Sequence, residues 1–461
     1  MKKSLVALAV LAATGAYAQS SVTLYGIVEA TSDIGYKRNQ DGVVTVNTFN
    51  AAGAGVSSVS TSTTAEQKNG MRIQDGNNQG TGTSRVGFRG TEDLGGGLKA
   101  NFLMEMGIRV DEGCVTTGAG NVCSSGDSGG NLFGRNAWGG VSGGFGEVRV
   151  GRQVLGSFSV QGNSWSAGSS NGLYDAGAST APAMGGVRFS NAIRYMSPDF
   201  GGFRASVMLA APETNPNGDA FLATSTTATT STGFVTTTGA SRRTGVDLAL
   251  EYANGPAYIG FGYNKRDTGN VTSGVTPVAL VGTTVVNAAP GTVTGYTLGG
   301  SYDLGVVKPF INYTRQKTDS SGSTVFTAVV PAASTSTSST GDATQRAVSI
   351  GLRAPVGAFT VIAGYGRSTT TGNTLVTTTG AGVTATGRGS SDAKRDAFQL
   401  GAQYALSKRT LVEANYGYNK LRTNGSEVAS TFGPAPTGRT ETFTRANDRV
   451  SALNIGLKHS F

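Results

Sequence analysis

The chain has 461 residues, of which 14% are charged and 70 are Gly, roughly twice the usual glycine share. With abundant Ser and Thr and only 12 Pro, this composition suits many strands and turns and excludes a helix bundle. The formal net charge of +9 is spread along the chain without a dense Lys/Arg cluster, which excludes a nucleic-acid surface.

In chain order, Lys2 and Lys3 precede an apolar run from Leu5 to Ala13, and Ala16-Tyr17-Ala18 follows. A charged start, a core too short to span a bilayer and an Ala-x-Ala site describe an export signal at residues 1–18. Cleavage leaves 19–461 as one domain with 35 basic and 28 acidic residues, a net charge of +7. No later apolar run approaches the ~20 residues of a transmembrane helix, so the exported chain is either soluble or a β-barrel.

From Ser21 the sequence alternates. Val22, Leu24, Gly26 and Val28 fall on one face of a strand, and Thr23, Tyr25, Ile27 and Glu29 on the other. Residues 37–80 read as a polar loop. Two further alternating segments, 83–91 and 97–110, are joined by a Gly-rich turn at 91–97. The pattern then repeats through 132–142, 146–153, 187–197, 202–211, 244–254, 257–267, 293–303, 306–317, 345–354, 358–368, 395–406, 409–421 and 448–461. Short turns alternate with long polar tracts, an asymmetry that distinguishes the two rims of an outer-membrane barrel. Cys114 and Cys123 lie in one such tract. Export favours a disulfide between them over two free thiols, and no His or acid cluster accompanies them to hold a metal.

The last segment ends the pattern. Leu453, Ile455, Leu457, His459 and Phe461 alternate with Asn454, Gly456, Lys458 and Ser460. A terminal strand of this kind must pair with the first strand to remove both sheet edges, with Phe461 as its closing, assembly-directing ring. The expectation is an all-β fold: a transmembrane antiparallel up-and-down β-barrel of sixteen strands, with short periplasmic turns and long extracellular loops.

Strand parity sorts the charges. Val86, Phe88, Val148, Val150, Phe189, Ile193, Tyr195 and Phe203 are read as facing lipid. Arg85, Arg89, Lys99, Glu105, Arg149, Arg188, Arg194 and Arg204 then face the lumen. An Arg near the lipid midplane would cost ~2–4 kcal/mol, whereas a lumenal one stays hydrated. Tyr252, Tyr263, Tyr302, Tyr313, Tyr365, Tyr404, Tyr416 and Tyr418 share the outward parity of an interface girdle. His459 is the only histidine and has no partner acids or ligands in the pattern, so no catalytic residue is assigned.

Several stretches resemble the trimeric general porins of beta-proteobacterial outer membranes. They are Ser21-Val-Thr-Leu-Tyr-Gly26, Ser84-Arg-Val-Gly-Phe-Arg-Gly-Thr-Glu-Asp-Leu-Gly-Gly-Gly-Leu-Lys-Ala100, Ser142-Gly-Gly-Phe-Gly-Glu-Val-Arg-Val-Gly-Arg-Gln153, Asn191-Ala-Ile-Arg-Tyr195 with Ser197-Pro-Asp-Phe-Gly-Gly-Phe203, and the terminal Gly456-Leu-Lys-His-Ser-Phe461. The resemblance implies sixteen strands, a homotrimer, and a third loop folded into each pore. That loop, residues 154–186, contains Trp165 and a single charged residue, Asp175. One acid facing several arginines implies a weakly anion-preferring channel for small hydrophilic solutes and ions. It would sit among outer-membrane lipids and lipopolysaccharide, without cofactor, metal or nucleic acid. The two rival readings are a substrate-specific channel and a poorly conducting adhesin or receptor barrel.

Overall fold

The computed structural model describes residues 21–49, 55–75, 84–117, 120–121, 132–165, 175–182, 186–211, 222–225, 233–239, 244–267, 272–278, 283–288, 291–329, 333–380, 383–432 and 439–461. Sixteen strands form a wall. The first eight are β1 (Ser21–Phe49), β2 (Arg85–Gly95), β3 (Leu98–Arg109), β4 (Asn136–Gly143), β5 (Gly146–Val154), β6 (Arg188–Met196), β7 (Phe203–Ala210) and β8 (Gly245–Asn254). The second eight are β9 (Ala257–Asp267), β10 (Gly291–Tyr302), β11 (Lys308–Val329), β12 (Ala333–Val356), β13 (Phe359–Gly380), β14 (Val383–Ala405), β15 (Thr410–Phe432) and β16 (Arg439–Ser460).

Each strand pairs antiparallel with the next, and β16 pairs back onto β1. The sheet is a closed barrel. Among the described residues no helix is long and apolar enough to cross a membrane; the strands make the crossing. In hydrocarbon only a helix or a closed barrel leaves no backbone group unpaired.

The closing seam runs in register from Ile27↔Ser460 to Ile34↔Leu453. Phe461 extends it by one residue: its N–H and carbonyl both bond to Gly26, each at 3.0 Å. The Phe461 ring lies over Gly26. A Cβ there would collide with the ring and stand 2.7 Å from the Arg85 carbonyl oxygen.

Three of the short turns share one device. Asp93, Asp199 and Asp303 each accept from the backbone N–H of a following glycine, Gly95, Gly202 and Gly305, at 2.7–2.9 Å. Those glycines have positive φ, which lets the chain reverse tightly.

Alternation holds around the wall. Leu24, Phe88, Val150, Ile193, Leu250, Ile350 and Leu457 are exposed on the outside. Glu29, Glu105, Asn264, Asn312, Gln399 and Asn454 are buried among inward neighbours. Tyr302, Tyr365, Tyr404 and Tyr416 are exposed on the outer face. His459, at the short-turn rim, meets the Thr410 hydroxyl at 2.8 Å.

Two sequence readings change. Phe189 does not face lipid. Asn191 takes a positive φ of 52°, and the register shifts between Gly151 and Gln153. That bulge turns Phe189 inward, where it is buried against Leu155, Ala192 and Met208. The tracts read as polar loops at 37–80, 268–292, 318–344, 369–394 and 422–446 are largely strand. β1 spans 29 residues, and β11–β16 span 22 to 24 each, far beyond the ~9–11 that cross a bilayer. An added strand, Gly55–Asp75, pairs with the outer half of β1. Above the lipid both faces of a strand meet water, so the period-two signal disappears while the backbone ladder persists.

Gly26→Ala is expected to destabilise the barrel by about 1–3 kcal/mol, the usual cost of forcing atoms into a packed site. The urea midpoint of the refolded protein measures it. Deleting Phe461 should slow the appearance of the compact, heat-modifiable band on an unheated gel.

Candidate functional site

The connection between β5 and β6 folds inward. It carries α1 (Gly156–Trp165) and α2 (Ala176–Thr180). α1 packs on β8, β9, β10 and β11, and α2 on β12, β13 and β14. The loop therefore lies along one side of the lumen and leaves β2–β6 as the opposite wall.

Its attachment is polar. Asp247 on β8 accepts from the backbone N–H of Gly156 at 2.7 Å and of Ser157 at 3.2 Å, and from the Ser157 hydroxyl. These N–H groups open α1 and have no partner within the helix, so a carboxylate from the wall caps it. Asn264 donates to the Ser157 hydroxyl at 3.1 Å, and Asn312 to Ser164 Oγ at 2.7 Å. Gln161 reaches Thr314 Oγ1 at 3.2 Å, and Gln345 donates to the Thr180 carbonyl at 3.2 Å.

The wall beneath the loop lacks side chains where the loop presses hardest. A Cβ on Gly262 would stand 2.6 Å from Ser157 Cα. Gly299 lies under Ser164, and Gly366 under Ala176 and Thr180, with no room for a Cβ at either position.

Asp175 is not a pore-facing charge. It is the N-cap of α2, accepting from Ala178 N at 2.9 Å, and is only 2% exposed. Burial pushes its carboxyl up to about 7, partly offset by the N–H groups of Ala178 and Gly177.

The opposite wall is basic at mid-height. Glu105 accepts from Arg135 Nε at 2.8 Å, Asn136 Nδ2 at 3.2 Å and the Tyr25 hydroxyl at 2.8 Å; Arg85 lies 4.0 Å away. Arg188 interacts electrostatically with Arg135, Arg152, Arg85 and Glu105. Glu29 also acts on Arg85, but it is itself paired with Lys458 at 3.5 Å. Three guanidiniums, those of Arg85, Arg135 and Arg188, thus gather around one carboxylate, a local excess of two positive charges, and Arg152 adds a fourth guanidinium beside Arg188. Arg194 sits at the root of the loop, bonded to the Val154 carbonyl at 3.2 Å and Ser206 Oγ at 3.1 Å.

The remaining residues of the predicted set lie nearer the short-turn rim. Arg149 pairs with Glu147 at 2.8 Å and stacks over Trp138 at 4.0 Å; Arg89 lies over the Tyr25 ring at 5.3 Å. Lys99 is exposed opposite Ser142. Arg204 is held at the rim by Asp199 at 2.9 Å. Cys123, and with it the expected disulfide to Cys114, lies outside the described residues, as do residues 1–18.

The sequence reading missed Arg135, Arg152, Trp138 and Asp247. Trp138 was legible, since it alternates with Ala137 and Gly139. Arg135 precedes its strand, and Arg152 adjoins the bulge at Gly151, so parity could place neither.

Comparison with known proteins supplies relatives. The family described as Gram-negative porin matches residues 4–424. The chain is 29% identical to "Outer membrane porin protein 32" of Delftia acidovorans over the whole of both chains. It is 32% identical to an outer membrane porin protein of Bordetella pertussis, over 68% of this chain and 69% of that one. Among solved structures, the "Anion-selective porin from Comamonas acidovorans" aligns over 96% of this chain and 100% of its own, at 24% identity and a TM-score of 0.46.

Asp247→Ala removes the cap of α1 and should cost about 1.5–3 kcal/mol for each charge-assisted bond lost. The loop should then show faster proteolysis and noisier open-channel current. For Asp175, a folded pKa raised from 3.8 to about 7 favours the proton-bound folded form. Its stabilising contribution is full below about pH 4 and is lost as pH rises through about 7. Denaturation midpoints measured from pH 4 to 8 should fall in wild type relative to Asp175→Asn, which cannot titrate.

Proposed function

Because the chain belongs to the Gram-negative porin family, we propose that it is a general diffusion channel with a weak preference for anions. It is an outer-membrane porin. The observation that carries the selectivity is the pairing of a four-arginine wall with a loop whose only charge, Asp175, is buried. Fixed positive charge in a narrow aqueous passage raises the local anion concentration. Residues 1–18 serve as the cleaved export signal, and three copies assemble, as in the porins the chain resembles. No catalytic step is assigned.

The outer face supports lipopolysaccharide as a neighbour. Going up β12, β14 and β15, ten residues separate Val356 from Arg346, Tyr404 from Lys394, and Val412 from Arg422. On tilted strands that is about 25 Å, the height of the apolar band. Arg315, Arg346, Thr369, Lys394 and Arg422 follow one another across the strands in one register row. Like charges directly opposite one another, as at Arg315↔Arg346 and Lys394↔Arg422, destabilise a sheet unless an anion lies between them. Headgroup phosphates at that depth provide it.

In planar bilayers the protein should conduct with three equal closing steps. The reversal potential in a KCl gradient should favour chloride, and Arg135→Gln should reduce that preference; cation selectivity would refute the assignment. Liposome swelling with uncharged solutes should depend on size alone. Replacing Arg346 and Lys394 by Glu should lower the lipopolysaccharide retained through purification.

A further inference from the structure

The lower wall holds a niche that the constriction does not use. It opens toward the short-turn mouth and encloses about 590 Å³. Its centre is one register row, Thr23–Arg89–Leu103–Trp138 across β1, β2, β3 and β4. Leu103 beside Trp138 is an apolar pair on a wall whose other inward residues are mostly polar. Apart from the Arg149 guanidinium on one face of Trp138, the water-filled lumen gives this pair nothing to bury against, so what remains is surface that a partly apolar solute can cover.

The polar half of the niche is equally specific. Arg89 has no acidic partner among the described residues; its guanidinium lies over the Tyr25 ring. Arg149 differs, because Glu147 neutralises it and its plane is stacked on Trp138 at 4.0 Å. The floor is flat: a Cβ on Gly87 would meet the Tyr25 ring at 2.8 Å, and one on Gly140 would meet Arg149 Cγ at 3.1 Å. These glycines let Tyr25 and Arg149 lie down along the wall and keep the space above Leu103 open.

We propose that this niche is a binding subsite for small aromatic carboxylates, with the carboxylate on Arg89 and the ring against Leu103 and Trp138. Arg offers a planar fork that matches a carboxylate, and aromatic surface rewards a ring. The subsite rests on the channel reading, since solutes reach it through the lumen. It adds a dwell point for one class of anion inside an otherwise size-limited pore.

The test uses the purified full-length protein in planar bilayers, with benzoate, acetate and benzylamine added in turn to the short-turn side. Benzoate should cause brief current blockades whose residence time exceeds that of acetate by about ten-fold, equivalent to one modest aromatic contact. Benzylamine should cause none. Arg89→Gln and Trp138→Leu should each shorten the benzoate events by about five-fold or more. Equal blockade by benzoate and acetate, or wild-type events in both variants, would overturn the proposal. A second readout covers variants that do not fold. In Trp165→Phe protein, Trp138 is the sole tryptophan, and benzoate should quench it saturably while acetate does not. Absence of conductance together with saturable quenching would sink the channel reading and leave the subsite standing; conductance with unsaturable quenching would do the reverse.

Discussion

Every feature of this structure depends on one requirement: no backbone amide may face hydrocarbon unpaired. Fifteen strand pairings are insufficient, because two open edges would remain. The sixteenth, between β16 and β1, removes them. That seam fixes the parity of each strand and so decides which side chains meet lipid and which meet water. The last residue takes part directly: Phe461 completes the ladder with its backbone and covers Gly26 with its ring. The bare Cα at position 26 and the aromatic at position 461 are two halves of one contact.

A closed cylinder of this width would be an undivided hole. The protein narrows it by an asymmetric division of the wall. β8–β14 hold the inward loop, and β2–β6 hold the arginines. On the loop side the residues that matter are acceptors and gaps. Asp247 caps α1, while Gly262, Gly299 and Gly366 let the loop backbone approach more closely than any side chain would permit. On the arginine side, Glu105 holds Arg135 and Arg85 in place without cancelling the cluster. On the loop side Asp175 and Asp247 are both buried at helix caps, so the exposed charge nearest the gap is that of the arginine wall.

Much of the barrel was legible because lipid writes its signature into the sequence. Val86 and Phe88 alternating with Arg85 and Arg89 need no partner strand to be understood. The signal failed where a residue's surroundings come from distant parts of the chain. Asp175 reads as a lone acid in a pore loop, but the fold buries it as a cap. Phe189 has lipid-facing parity on paper, and the bulge at Asn191 reverses it. Asp247 looks like one more lumenal acid, since nothing nearby in sequence reveals the helix it caps. The Ser/Thr tracts hid strands for a different reason: with water on both sides, alternation has nothing to record.

The unequal strand lengths carry a last consequence. β11–β16 and β1 continue at least some twelve residues past the bilayer, roughly 30 Å at the tilt of a barrel strand, and the short strands Thr283–Ala288, Thr272–Val278 and Gly233–Gly239 pair on in turn from the outer end of β11. Above the membrane the sheet thus continues as a hood whose strands are joined edge to edge by main-chain pairing. In the hood, stability rests on main-chain ladders, and neither flank of the sheet has a preferred chemistry. Replacements there leave the sealed part below untouched, so the outward mouth can change in sequence while the conduit stays the same.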